Sequence, residues 1–127
     1  MIYTYTSMRP LSVGSYSSRS QNIIIRQYLE SINLVFSIPY PEFVFPGCYL
    51  QLYNLLRKAD QNSTLVFFSV SQLSELADSY SSVCNKIVYK FDRVIFAREE
   101  IVINTSLDKQ EAVFSIDQIF SKTISSQ

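Results

Sequence analysis

The stretch STLVFFSV, residues 63–70, constrains this chain more than any other. It lacks the apolar–polar alternation of a strand with one wet face, and it is too short for a helix buried all round. A continuous apolar run of this length between polar residues marks a strand covered on both faces, as in the centre of a parallel sheet. Parallel neighbours need long crossover connections, so helices should lie before and after it.

The flanking sequence supplies them. Residues 2–6, IYTYT, are β-branched and aromatic and predict a first strand with Ser7 at its carboxyl end. The Pro-, Gly- and Ser-rich residues 8–20 predict a long loop. Ile24, Tyr28 and Ile32 then recur every fourth residue beside Ile25 and Leu29, a helix that Ser18 or Ser20 can cap. NLVFSI, residues 33–38, predicts a second strand, and PYPEFVFPG with its three prolines a stiff connection. Pro46 at a favoured first position predicts a helix with Gly47 and Cys48 on its first turn, Tyr49, Leu52, Tyr53 and Leu56 on one face, and an end near Ala59. After the central strand, Leu73, Leu76, Ala77, Tyr80 and Cys84 keep helical spacing to about Tyr89. RVIFA predicts a fourth strand, EIVIN a short edge strand, and Ser106 the start of a last helix with Val113, Ile116, Ile119 and Phe120 as its apolar stripe. This alternation predicts an α/β fold, a three-layer sandwich around a mostly parallel sheet of four to five strands. A single domain is expected over residues 1–121, with 122–127 as a frayed tail.

Bulk composition removes whole classes of function. With 127 residues, 47% of them hydrophobic, the chain can bury one core but not two. Eleven basic and eleven acidic residues cancel, which argues against nucleic acid as a partner. No apolar run is long enough to span a bilayer and no signal-peptide pattern opens the chain, so a cytoplasmic protein without membrane insertion is expected. The two cysteines are then expected to be thiols. Histidine is absent, which excludes Ser-His-Asp and Cys-His catalysis and most catalytic zinc and iron sites. No Walker loop, GxGxxG or HExxH occurs, and no cofactor or metal is implied.

In open α/β sheets ligands bind beyond the carboxyl ends of the strands, where strand order reverses. That rule selects Ser7 and Arg9, residues 42–48, Ser69 and Ser71, and residues 98–100. Cys48 at a helix start is a candidate nucleophile or site-lining thiol, because the helix N-terminus favours a thiolate; a small core residue is the competing reading. Gly47 would let an anionic ligand approach the backbone N–H groups there, with Arg9, Arg19 or Arg26 as fork-shaped partners. For Arg26 the competing reading is an ion pair with Glu30 one turn on. Glu42, among prolines and aromatics, is a candidate general acid or base. Ser7 and Ser69 are candidate hydrogen-bond donors, and Cys84, on an apolar stripe, is read as core.

Several pieces, Arg9-Pro10, Gln21-Asn22 with IIIRQY, FPGCY at 45–49, FFSVSQLS and FAREEI, occur in order over about the first hundred residues. In these the chain resembles the sporadic carbohydrate cluster family of bacterial surface-polysaccharide gene clusters; the serine-rich loop 11–20 departs from it. The resemblance implies a role in making or modifying a glycan, with an anionic sugar or nucleotide sugar as ligand, and brings Gln21, Asn22, Arg26 and Tyr49 into the ligand set. A fainter resemblance is to the catalytic domain of serine recombinases, with Tyr3 and Ser7 at the positions of that family's tyrosine and serine. Its Asp-Arg-Leu-x-Arg motif corresponds here to Ser71, Gln72, Leu73, Ser74 and Glu75, so the phosphate-neutralising arginines are missing. This implies a resolvase-like or flavodoxin-like fold without DNA cleavage. The alternative function is a non-catalytic dimerising or regulatory module, for which the stripe on the last helix would close a homodimer or higher homo-oligomer.

Overall fold

Strand β2 (Thr64–Phe67) is buried at every position, as the STLVFFSV run requires. The computed structural model describes residues 1–7, 16–39, 42, 49–60 and 62–125. In it β2 pairs in parallel with β1 (Ile2–Tyr5) on one side and with β3 (Arg93–Phe96) on the other. A fourth strand, β4 (Ile101–Asn104), pairs with β3 in antiparallel register, Phe96 opposite Ile101. Only a tight turn at residues 97–100 separates them, too short for a crossover, and Glu100 takes a φ of 57° there. The result is an open, mostly parallel four-stranded sheet in the order β1-β2-β3-β4.

Four helices flank the sheet: α1 (Ser18–Ser31), α2 (Leu50–Lys58), α3 (Tyr80–Lys90) and α4 (Lys109–Ser125), with a 3₁₀ helix (Val70–Ser79) leading into α3. Period-two alternation sorts the strand side chains between the two faces. Tyr5, Leu65, Phe67, Val94 and Phe96 meet side chains of α2, α3, α4 and the 3₁₀ helix. Val66, Phe68, Ile95 and Ala97 meet Ile25 and Leu29 of α1. A continuous apolar strand is needed because β2 and β3 have no wet face. No helix among the described residues is long and apolar enough to cross a membrane.

Several sequence expectations need correction. Residues 34–39 form no strand. Leu34 and Phe36 pack under α1 while Val35 and Ile38 are exposed, so the period-two pattern reflects one-sided packing rather than a ladder. Asn33 ends the helical turn at a φ of 63°, and Pro39 has no N–H to give a neighbour. What remains of the expected second strand is one parallel bridge, Ser7 to Glu42. Helix α2 begins at Leu50 behind Tyr49 as N-cap rather than at Pro46; Arg9, Pro46, Gly47 and Cys48 lie outside the described residues. The helix expected after β2 starts as 3₁₀. The last helix starts at Lys109, where Asp108 Oδ1 accepts the Glu111 N–H, and it continues to Ser125.

The apolar stripe of α4 faces inward. Ile116 is 1% exposed, and Val113, Ile119 and Phe120 pack on the same core. The surface expected to close a homo-oligomer therefore seals the domain's own sheet. Tyr80 clamps α3 to α4: its ring stacks on Phe120 at 4.9 Å and its hydroxyl donates to Asp117 Oδ1 at 2.7 Å. Cys84 lies beneath it, fully buried as the sequence suggested.

Two outcomes are expected. Ile116→Ala should cost about 2–4 kcal/mol of unfolding free energy in urea, by loss of buried methyls and the cavity left behind. Phe114→Ala, at a side chain 59% exposed on the same helix, should change it by under about 0.5 kcal/mol. Burial pushes the Cys84 thiol from an ordinary 9.0 up to about 12, so the native state holds its proton where the unfolded chain has lost it. Stability carried by this group is complete below pH 9.0 and falls as pH rises toward about 12. In a Cys48→Ser variant, leaving Cys84 as the only thiol, an aromatic disulfide reagent at pH 8 should react only after denaturant is added.

Candidate functional site

The carboxyl ends of the parallel strands carry several of the polar side chains buried among the described residues. Thr6 and Ser7 follow β1, Ser69, Ser71 and Gln72 follow β2, and Glu99 follows β3; all but Glu99 are almost fully buried. Outside the strands, a single parallel bridge among the described residues joins Ser7 to Glu42 on the far side of β1 from β2.

Glu42 is almost fully buried and bonded through both its backbone and its side chain. Its backbone N–H donates to Thr6 O at 2.8 Å, which fixes it beside the end of β1. Its carboxylate, on a residue 1% exposed, accepts from Tyr5 Oη at 2.9 Å, from Gln51 N–H at 3.1 Å and from Leu52 N–H at 3.3 Å. Gln51 and Leu52 belong to the first turn of α2, whose N–H groups have no partner within the helix. Tyr49, the N-cap, makes no side-chain capping bond, so a carboxylate from outside the helix fills that role. The helix start expected to receive an anionic ligand thus holds an anion of the protein's own.

The same device recurs one strand over. Glu99 Oε1 accepts the Val70 N–H at 2.8 Å at the start of the 3₁₀ helix, and its Oε2 accepts from Ser69 Oγ at 2.8 Å. Ser69 Oγ also lies 3.0 Å from Ser71 Oγ, and its N–H donates to Gln72 Oε1 at 3.2 Å. Arg98 pairs with Glu99 at 3.2 Å and keeps a side chain 35% exposed. A hydrogen bond with Tyr16, and next the pairing with Glu99, hold the Arg98 guanidinium above its ordinary range against the opposing effect of partial burial. Tyr16 leans on Phe68, with ring centroids 4.8 Å apart, at the point where the chain returns from residues 8–15.

Gln21 ties Ser7 to Tyr16. Its Oε1 accepts the Ser7 N–H at 3.1 Å, while its Nε2 donates to the carbonyls of Ser7 and Tyr16. The amide expected to reach a ligand is engaged with backbone, and its role is positional. Asn22, next on α1, has a buried Oδ1 without a hydrogen-bond partner among the described residues. Thr6 Oγ1 and Gln72 Nε2 share that condition, and Gln72 is only 4% exposed. Arg26 sits away from this cluster, its guanidinium 5.3 Å above the Phe36 ring, and Arg19 is exposed on the first turn of α1. Tyr49 is packed in the core beside α2.

Of the expected site residues, the structure therefore brings together Ser7, Gln21, Glu42 and Ser69. Tyr16, Gln72, Arg98 and Glu99 complete the cluster. Arg98 and Glu99 were in view as the residues after a strand; Gln72 and Tyr16 carried no such signal. Glu99 turns inward and Glu100 faces solvent, so the acidic pair does not converge, and no group of three metal-ligating side chains occurs among the described residues. Comparison with protein-family models, curated proteins and solved structures yields no match.

Glu42→Gln should destabilise the protein by about 2 kcal/mol or more in urea unfolding, because the substituted amide opposes an N–H₂ to N–H donors in a buried place. Glu30→Gln, at an exposed position on α1, is the control and should leave stability unchanged.

Proposed function

We propose that this chain is a cytoplasmic protein of bacterial surface-polysaccharide assembly that binds an acidic sugar or nucleotide sugar over the carboxyl ends of β1, β2 and β3. The observation that carries the reading is the buried amide and hydroxyl cluster there, with Gln72 Nε2 and Thr6 Oγ1 lacking partners among the described residues. Neutral donors and acceptors in a fixed array suit the hydroxyls of a sugar ring, since each buried polar group gains by acquiring a partner. Arg98, half turned to solvent, is the cation suited to a carboxylate or phosphate. The resemblance of FPGCY, FFSVSQLS and FAREEI to the sporadic carbohydrate cluster family supports the glycan part. The mostly parallel open sheet, with one parallel bridge beyond β1, supports a flavodoxin-like or resolvase-like arrangement.

In this reading Glu42 positions α2 and β1, and does not transfer protons. Any covalent step on the sugar falls to Cys48, the remaining candidate nucleophile. The alternative, a non-catalytic module closing a homo-oligomer, has lost the α4 stripe to the domain's own core.

The test is thermal unfolding with UDP-glucuronate, sialic acid, glucose 1-phosphate and glucose as probes. At least one acidic probe at saturation should raise the midpoint by about 5 °C or more, glucose should not, and Arg98→Gln should remove the rise. A flat response to all three acidic probes contradicts the proposal.

A further inference from the structure

Beside the strand-end cluster, helix α1 and the turn between β3 and β4 border a cavity of about 300 Å3. Ile24 and Tyr28, which pack on the core under α1, and buried Ala97 give it apolar surface. Gln27, Arg98 and Glu100 give it polar groups. The turn is fixed by its backbone: Ala97 N–H donates to Phe67 O at 3.0 Å, Arg98 N–H to Phe68 O at 2.8 Å and Glu100 N–H to Ala97 O at 3.1 Å. Glu100 holds its φ of 57° there, a left-handed position that glycine would take without the steric cost of a Cβ. Its exposed carboxylate has no hydrogen-bond or ion-pair partner among the described residues. A carboxylate kept at a costly backbone position on the rim of a cavity is free to meet a ligand.

Arg98 belongs to both places. It lines the cavity, and it bonds to Glu99 and Tyr16 of the strand-end cluster. A ligand that spans the two must therefore carry its negative charge in the middle. The part inside the cavity must be neutral, because Glu100 repels an anion and accepts from hydroxyl donors. It must also offer an apolar face to Tyr28 and Ile24. An acidic sugar places its charge on the ring that the cluster holds and leaves the cavity empty. A nucleotide sugar has its phosphates between two neutral halves, one of them a flat base on a ribose with hydroxyl donors.

We infer that the ligand is a nucleotide sugar whose nucleoside occupies the cavity between α1 and the β3–β4 turn, with the ribose hydroxyls on Glu100, the base against Tyr28 and the phosphates at Arg98. The inference rests on the sugar-binding reading and selects among its ligands. A cavity of about 300 Å3 is at the lower end of small-molecule sites, which suits a nucleoside rather than the whole ligand.

Calorimetric titration of the intact chain with uridine, cytidine, adenosine and guanosine diphosphates, glucose 1-phosphate and glucuronate tests it. At least one nucleoside diphosphate should bind without a sugar, about tenfold or more tighter than glucose 1-phosphate. Glu100→Gln should weaken that nucleotide about tenfold, the worth of one charge-assisted hydrogen bond, with a much smaller effect on glucose 1-phosphate, which has no ribose. The 2′,3′-dideoxy form of the nucleotide should lose about the same factor on the unaltered protein, and Glu100→Gln should cost it nothing further. If Glu100→Gln misfolds, the dideoxy comparison decides. Glucose 1-phosphate or glucuronate binding through Arg98, with none of the four nucleotides bound, overturns the inference and leaves the sugar-binding reading standing. Equal binding of the nucleotide and its dideoxy form also overturns it. Silence from every acidic probe overturns both.

Discussion

A buried carboxylate must be given hydrogen-bond donors, and at Glu42 that requirement organises one side of the molecule. The donors come from three places: the hydroxyl of Tyr5 in β1 and the backbone of Gln51 and Leu52 in α2, while the residue's own N–H holds Thr6. One side chain therefore sets the distance between β1 and the start of α2. It also explains why α2 can begin without a local cap: an unmatched helix start would leave buried N–H groups, and Glu42 removes them. Glu99 repeats the arrangement between the end of β3 and the 3₁₀ helix.

These two long-range caps shape what a ligand can meet. The positive ends of both helices are neutralised by the protein's own carboxylates, so the strand ends offer amides and hydroxyls in place of bare helix termini. Arg98 is the exposed cation of the cluster.

How much of this could be read from the sequence depended on the range of the interaction. STLVFFSV named a strand buried on both faces because burial leaves a local pattern, and the stripes of α1 and α4 were legible for the same reason. NLVFSI misled because Leu34 and Phe36 bury one face just as a ladder strand would; a missing partner leaves no mark on the residues themselves. The start of α2 was misplaced because its cap sits on a separate segment, where no local spacing announces it. Ser7, Ser69 and Glu42 were reached by the rule about strand ends. Gln21 ties Ser7 to Tyr16, and in sequence such an amide looks the same as one that reaches a ligand.

The central claim is that the Glu42 carboxylate holds the first turn of α2 in the folded protein. Native-state hydrogen exchange at the Gln51 and Leu52 amides measures it most directly, because first-turn amides without a cap exchange rapidly. The account predicts that both are protected to the level of the interior of α2, and that both lose this protection in the Glu42→Gln protein while it remains folded. Rapid exchange at both amides in the unaltered protein would contradict it.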